Sequence, residues 1–445
     1  MPSSALDQLV RTRFRALRHR NFRLYWVGQL VSLVGTWMQS VAQGWLMHRL
    51  TASAFMLGLL GFIQFLPVLL LSLLAGVVAD RHNKRWLLLM TQGGFLLQAA
   101  LLAALVTAGV VTPWMLLVLA CAYGVLNAFD MPTRQSIIVE LVKKEDLSNA
   151  IALNSAAFNM ARIVGPAVAG VLVATLPGLL KAAGLGRLLP TRLAGEAGCF
   201  WVNALSYIAV LVSLARIELA PGQAAGGAPE AGPIAKLAEG IRYALGQRSI
   251  RNLLLLLGFA GGLGFQYLTL LPVYAREILR AGAGVYGLLV SAFGVGALSA
   301  AAVLTRRVER RDLRRNLFVG LVTSGTGLGV FAWSRALPLS LAMGFLAGFG
   351  LILYVASTNT LLQLTTEDHY RGRVMSLYTL MFVGMAPFGA LLSGAVAQRT
   401  SAPVATSLSA LILLAGAAWV LRRLQATAAR DAQRVAEPAV EERVG

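Results

Sequence analysis

Polar side chains recur through one otherwise apolar stretch of the chain: Gln29, Ser32, Thr36, Gln39 and Gln43, at spacings 3, 4, 3, 4. On a helix these five share a face, and such a stripe either lines an aqueous path or hydrogen-bonds neighbouring helices. Two further seams repeat the spacing 4, 3, 4: Tyr123, Asn127, Asp130, Arg134, and Ser155, Asn159, Arg162, Pro166. Gln64, Gln92, Gln98, Asn203, Gln266, Tyr267, Asn359 and Tyr378 are isolated polar groups in other apolar runs. Together these residues can bind a small solute. An enzyme would need converging acids or histidines inside the apolar runs, and the four histidines, His19, His48, His82 and His369, all fall outside them. The reading is therefore binding without catalysis.

Two charged groups stand out by depth. Asp130 lies about 16 residues, roughly 24 Å, from one end of its helix, where it pairs with Arg81 or Arg85 or, alternatively, exchanges protons. Arg162 lies about 13 residues, roughly 20 Å, into its own helix, near the middle of a hydrocarbon layer about 30 Å thick. An arginine there costs about 3 kcal/mol or more and must face a cavity or a partner. Two roles stay open for it: a structural one met by water and carbonyls, and contact with an anionic substrate. No other acid is expected at such depth.

The elements that position these groups follow from composition. The 445 residues are 57% hydrophobic and 13% charged, against about 25% charged in soluble domains. Apolar runs at 23–47, 57–79, 86–108, 114–133, 149–175, 199–215, 251–273, 285–305, 315–334, 338–364, 374–397 and 404–421 are long enough to span a bilayer. The net charge of +20 is confined to the gaps between them, which speaks for a membrane and against nucleic acid. The basic start, RTRFRALRHRNFR, precedes a run too long for a signal peptide and is read as a retained cytoplasmic segment. The chain start, the even-numbered gaps and the tail hold 30 Lys and Arg, the odd-numbered gaps 8. The positive-inside rule then predicts both termini in the cytoplasm. Cys121 and Cys199 lie in apolar runs, so neither a disulfide nor a metal site is expected.

The chain divides into a basic segment 1–22, a six-helix bundle 23–215, a linker 216–250, a second bundle 251–421 and a cytoplasmic tail 422–445. In the linker, PGQAAGGAPEAGP reads as a flexible tether. Ile234, Leu237, Ile241 and Leu245 then recur at helical spacing, predicting an amphipathic helix on the membrane surface. The halves echo each other. Gly165-Pro166 matches Ala386-Pro387, Glu145-Asp146 matches Glu367-Asp368, and ADRHNKRW (79–86) matches VERRDLRR (308–315), all near half the chain length apart. That pattern signals a parallel duplication.

GVVADRHNKR places Gly76, Asp80, Arg81, Lys84 and Arg85 in a pattern that resembles the G-x-x-x-D-R-x-x-[RK]-[RK] signature of the major facilitator superfamily. The resemblance implies two six-helix bundles that rock about a central cavity. It also implies a latch between the halves made by these residues with Asp130 and Arg134. RIVGPAVAG partly resembles the Gly-Pro motif of superfamily drug/proton antiporters, in which Gly165, Pro166 and Gly170 pack and bend a helix; Ala161 and Ala169 replace glycines of that pattern. The stretch from Phe129 to Gly170, and the chain from FRALRHRNFRLYWVGQ onward, looks like the branch of enterobactin exporters and macrolide-efflux proteins. It departs at 176–198, where a longer external loop carries Lys181, Arg187 and Arg192.

The expectation is an all-α inner-membrane transporter, monomeric and without cofactor, that exports a siderophore- or drug-like amphiphile by alternating access. No nucleotide-binding motif is present, so a proton gradient is the expected energy source. Nutrient uptake and lipid flipping on the same fold are the alternatives.

Overall fold

A computed structural model describes residues 14–184, 193–217, 233–264, 267–304 and 310–436. Helices cross the molecule alternately: α1 (Arg20–Thr51), α2 (Ala54–Arg81), α3 (Lys84–Thr107), α4 (Pro113–Leu141), α5 (Leu147–Ala182) and α6 (Ala194–Arg216) form one bundle. The linker helix α7 (Pro233–Gly246) follows. The second bundle holds α8 (Arg248–Leu256), α9 (Tyr267–Val273), α10 (Ala283–Leu304), α11 (Arg310–Trp333), α12 (Leu337–Thr365), α13 (Asp368–Val383), α14 (Ala386–Arg399) and α15 (Ala402–Ala436). We call the end carrying Arg20 and Ala436 the termini face, and the opposite end, with the α1–α2 turn, the far face.

Local chemistry sets the helix starts. Ser53, Asn83 and Thr112 each cap the helix they precede, accepting from the amides of Met56, Trp86 and Met115. These bonds satisfy N–H groups that lack a partner inside the helix. Ten of the described helical segments are long and apolar enough to cross a membrane. Two further crossings complete twelve. One is α1, whose polar stripe dilutes its hydropathy although it runs for 32 residues. The other is an interrupted seventh crossing in which α8 opens into a wide turn at Leu257–Leu263, and α9 ends in a second at Tyr274–Ile278. The expected single run at 251–273 is therefore broken, for a reason visible in its residues: Gly258, Gly261, Gly262 and Gly264 weaken the helix. The expected run at 374–397 is likewise two helices, parted at Gly384-Met385 just before Pro387.

Of the 176–198 segment, α5 takes in 176–182 and α6 begins at Ala194, while 185–192 lie outside the described residues. Lys181 sits in the last turn of α5, while Arg187 and Arg192 lie outside the described residues. Helix α7 docks on α13 through the Arg373–Glu239 ion pair (2.6 Å) and the stacked rings of Tyr243 and Tyr370, 4.0 Å apart. Its Ile241 and Leu245 stay exposed, and the side chains of Ile234 and Leu237 lie outside the description.

The bundles meet along two symmetry-related crossings, α2 on α14 and α5 on α10. At the first, a methyl group on Gly58 would lie 2.6 Å from Ala390 O and 3.0 Å from Gly394 Cα. At the second, one on Gly287 would strike Pro166 O and lie 3.1 Å from Gly170 Cα. Gly58 and Gly287 are 229 positions apart, the offset that relates ADRHNKRW to VERRDLRR. Only glycine allows the backbones this close.

Candidate functional site

A cavity of about 670 Å³ lies between the bundles. Its first-bundle wall is mixed: apolar side chains such as Leu33, Trp37, Phe65, Phe95 and Phe158 stand among the polar ones, Gln29, Thr36 and Ser40 from α1, Gln64 from α2, Tyr123, Asn127, Asp130, Arg134 and Gln135 from α4, Asn154 from α5, and Tyr207 from α6. The second-bundle wall consists, among the described residues, of Leu268, Thr269, Pro272, Tyr286, Val290 and Val383. Asp130 and Arg134 are the two charged residues of the described lining.

They form an ion pair one helical turn apart. Asp130 is 1% exposed and accepts hydrogen bonds from Thr91 Oγ1 (2.9 Å) and Gln92 Nε2 (2.7 Å) on α3. The partnership expected with Arg81 or Arg85 is not among the described contacts: Asp130 meets α3 at Thr91 and Gln92, about two turns further along that helix than Arg85. Arg85 instead donates to the carbonyls of Leu214 and Ala215, both at 2.7 Å, capping α6. Lys84 pairs with Glu140 at 2.5 Å. Arg81 ends α2 and is exposed, and Gly76 has open space beside it. The side chain of Asp80 lies outside the description. The contacts described for Lys84, Arg85, Asp130 and Arg134 thus all stay within the first bundle.

The polar stripe of α1 splits between two jobs. Gln29 and Thr36 line the cavity, Thr36 Oγ1 lying 3.0 Å from Tyr207 OH. Gln39 is buried between helices, donating to Gln98 (3.0 Å) and accepting from Asn203 (2.7 Å). Ser32 and Gln43 are also buried and fall outside the described wall. One face of α1 is wider than the cavity, so its edges pack on α3 and α6.

Other candidates scatter. Asn127 is in the wall. Ser155 and Asn159 fall outside it, and Arg162 donates to Asn159 Oδ1 (3.1 Å) near the α5–α10 crossing, its Nε buried without a hydrogen-bond partner. Gly165 packs on Val34 and Trp37 of α1, so Gly165, Pro166 and Gly170 wedge α5 between α1 and α10. Tyr267 is buried and stacks on Phe293 (4.4 Å). Asn359 accepts from Gln363 and hydrogen-bonds Tyr378, away from the described cavity lining. Gln266 lies outside the described residues. Sequence reasoning overlooked Tyr207, Gln135 and Asn154; only Asn154, next to the Ser155 seam, carried a signal.

On the far face the bundles are sealed. Trp45 stacks on Tyr286 (6.0 Å), Ser53 Oγ donates to Gln398 (2.8 Å), and Ser291 Oγ donates to Ile163 O (2.9 Å). His48 Nε2 lies 3.1 Å from Glu277 Oε1, and Arg276 donates to His48 O (3.2 Å). Beside them Arg49 pairs with Glu196 at 2.5 Å. Glu196 is fully buried, but it lies in the first turn of α6 and not at the depth of Arg162, where no other acid is expected. The α6 helix starts earlier than the apolar run did, and so draws this acid inside.

Two six-helix bundles around a cavity sealed at one end define a multi-pass membrane transporter of the major facilitator fold. A family model described as "Transmembrane secretion effector" matches residues 11–445, and the chain belongs to that family. The staphyloferrin A transporter of Staphylococcus aureus is 25% identical over 83% of this chain and 88% of its own length. The multidrug efflux pump Tap of Mycobacterium tuberculosis is 26% identical over 82% and 84%. Among solved structures, a bacterial homolog of the human lysosomal transporter Spinster, inward-facing and occupied, superposes with a TM-score of 0.69. It is 14% identical and covers 92% of this chain and 97% of that one, a likeness of fold. Family and fold are those of transporters, not enzymes.

Proposed function

We propose that this protein exports a small amphipathic organic molecule, of siderophore or drug type, across the inner membrane by alternating access. The observation that carries the reading is the cavity of about 670 Å³, closed on the far face, in which the charged and most of the polar lining residues come from the first bundle and the second-bundle side is mostly apolar. That volume suits a drug-sized ligand, and its two walls suit a molecule with a polar head and an apolar body. The relatives named for staphyloferrin A and for multidrug efflux support the same class. With 30 Lys and Arg assigned to the termini side and 8 to the other, the termini face is cytoplasmic, and the closed far face is the outer one.

Protons supply the energy in this reading, since the chain carries no nucleotide-binding motif. The charged run Asp80–Arg85 and its neighbours at the termini face act as the latch of the opposite, outward-open state. Asp80→Asn is expected to slow transport several-fold while leaving membrane insertion intact; wild-type turnover would remove the latch. The reading as a whole is tested by accumulation of siderophores, macrolides and dyes in cells with and without the protein, with and without a protonophore. Higher accumulation in the expressing cells would reverse the direction and favour uptake.

A further inference from the structure

Two charges face the same cavity unequally. The Asp130 carboxylate is 1% exposed, turned toward Thr91 and Gln92 on α3 and held by Arg134. The Arg134 side chain, in contrast, is 20% exposed and is the charge that a solute in the cavity meets. Gln29, which lines the cavity, has its Nε2 buried without a hydrogen-bond partner, and Tyr25 OH, behind the described lining, is unpartnered too; the residues are 2% and 1% exposed. Tyr25 and Gln29 are one helical turn apart on α1, on the side that meets α4. An N–H left unsatisfied in a low-dielectric wall that also holds a guanidinium asks for an acceptor.

We propose that the transported amphiphile carries an acidic group, a carboxylate or similar oxyanion. That group seats on Arg134 and takes a hydrogen bond from Gln29, while the apolar body lies on Leu268, Pro272 and Val290. This deepens, and rests on, the transport reading above. A planar guanidinium with spare donors favours an oxyanion geometrically as well as by charge. A cationic head would instead have to displace Arg134 from Asp130 and leave a guanidinium buried without its counter-ion, which is strongly unfavourable. An organic anion leaving a cell with a negative interior also moves with the membrane potential, in keeping with export.

The test is equilibrium binding to the purified full-length protein in nanodiscs, read by the emission of three matched probes: dansylglycine, its neutral amide, and dansylethylenediamine. Dansylglycine is expected to bind at least tenfold more tightly than the other two. Arg134→Gln should bring the three within about twofold of each other, Arg134→Lys should keep part of the preference, and Gln29→Leu should lower it about threefold. If Arg134→Gln does not survive purification, the wild-type ratio and the Lys variant decide. Equal affinities, or tightest binding of the amine, overturn the assignment of charge and leave the transport reading standing. Failure of all three probes to bind overturns the use of this cavity as a ligand site, and the transport reading with it.

Discussion

The two walls of the cavity come from duplicated halves of one chain, yet they have diverged in opposite directions. In the first bundle, α1 and α5 run unbroken for 32 and 36 residues and bring Gln29, Thr36, Ser40 and Asn154 to the cavity. Their counterparts in the second bundle are interrupted: α8 and α9 are joined through a widened turn, and α13 and α14 part at Gly384-Met385. The two interruptions touch, a methyl on Gly262 lying 3.3 Å from Met385 Cγ. The described cavity wall on that side is mostly apolar, Thr269 and Tyr286 carrying its hydroxyl groups. A rigid frame suits the half that must hold a buried ion pair at hydrogen-bond precision. Broken helices suit the half that must deform, since widened turns and Gly/Pro steps absorb bending at low cost. Recognition and flexibility are thus divided between the repeats.

The sharpest way to break this division is at the ion pair. Asp130→Asn leaves Arg134 buried without a counter-ion, a cost on the order of 3 kcal/mol, or roughly 100-fold in rate. The efflux rate at equal membrane-inserted protein should fall by that order; an efflux rate near wild type would mean that the polar wall is not where recognition resides. Next come the crossings. Gly58→Leu and Gly287→Leu should each hold the far face apart and reduce transport about tenfold, with weaker cysteine cross-linking between positions 45 and 286. Because these two glycines occupy equivalent places, unequal effects would show that the halves do not share the motion.

On the apolar wall a milder result is expected. Val290→Ala should raise KM for a bulky substrate by a factor of about ten, the effect of lost apolar contact, and leave kcat unchanged. A collapse of kcat there would give the second bundle a role in the chemistry of binding that the division denies it. The smallest effect is predicted for Gln39→Leu. It breaks the chain from Asn203 through Gln39 to Gln98, each bond worth about 0.6 kcal/mol in a membrane protein. Thermal stability should drop by a few degrees with transport retained, because Gln39 ties α1 to its neighbours and does not line the described cavity.

The α1 stripe shows how far the residues themselves could be followed. Their spacing placed Gln29 through Gln43 on one face, but spacing carries no information on what stands opposite each turn. The same holds for Asp130, whose depth could be counted while its partners on α3 could not. The second-bundle wall was illegible for a different reason: Leu268 and Val290 have the same side chains whether they face lipid, a neighbour or a ligand.

By itself the sequence determined the class of solvent, the number of crossings and the duplication, because these depend on composition, run length and offset, which are local or additive. Tertiary structure alone decided which polar groups meet in one cavity, that Glu196 is buried beside Arg49, and that Arg134 is more exposed than Asp130. Those outcomes depend on how helices from distant parts of the chain rotate against one another, and a helix's rotation is fixed by its neighbours.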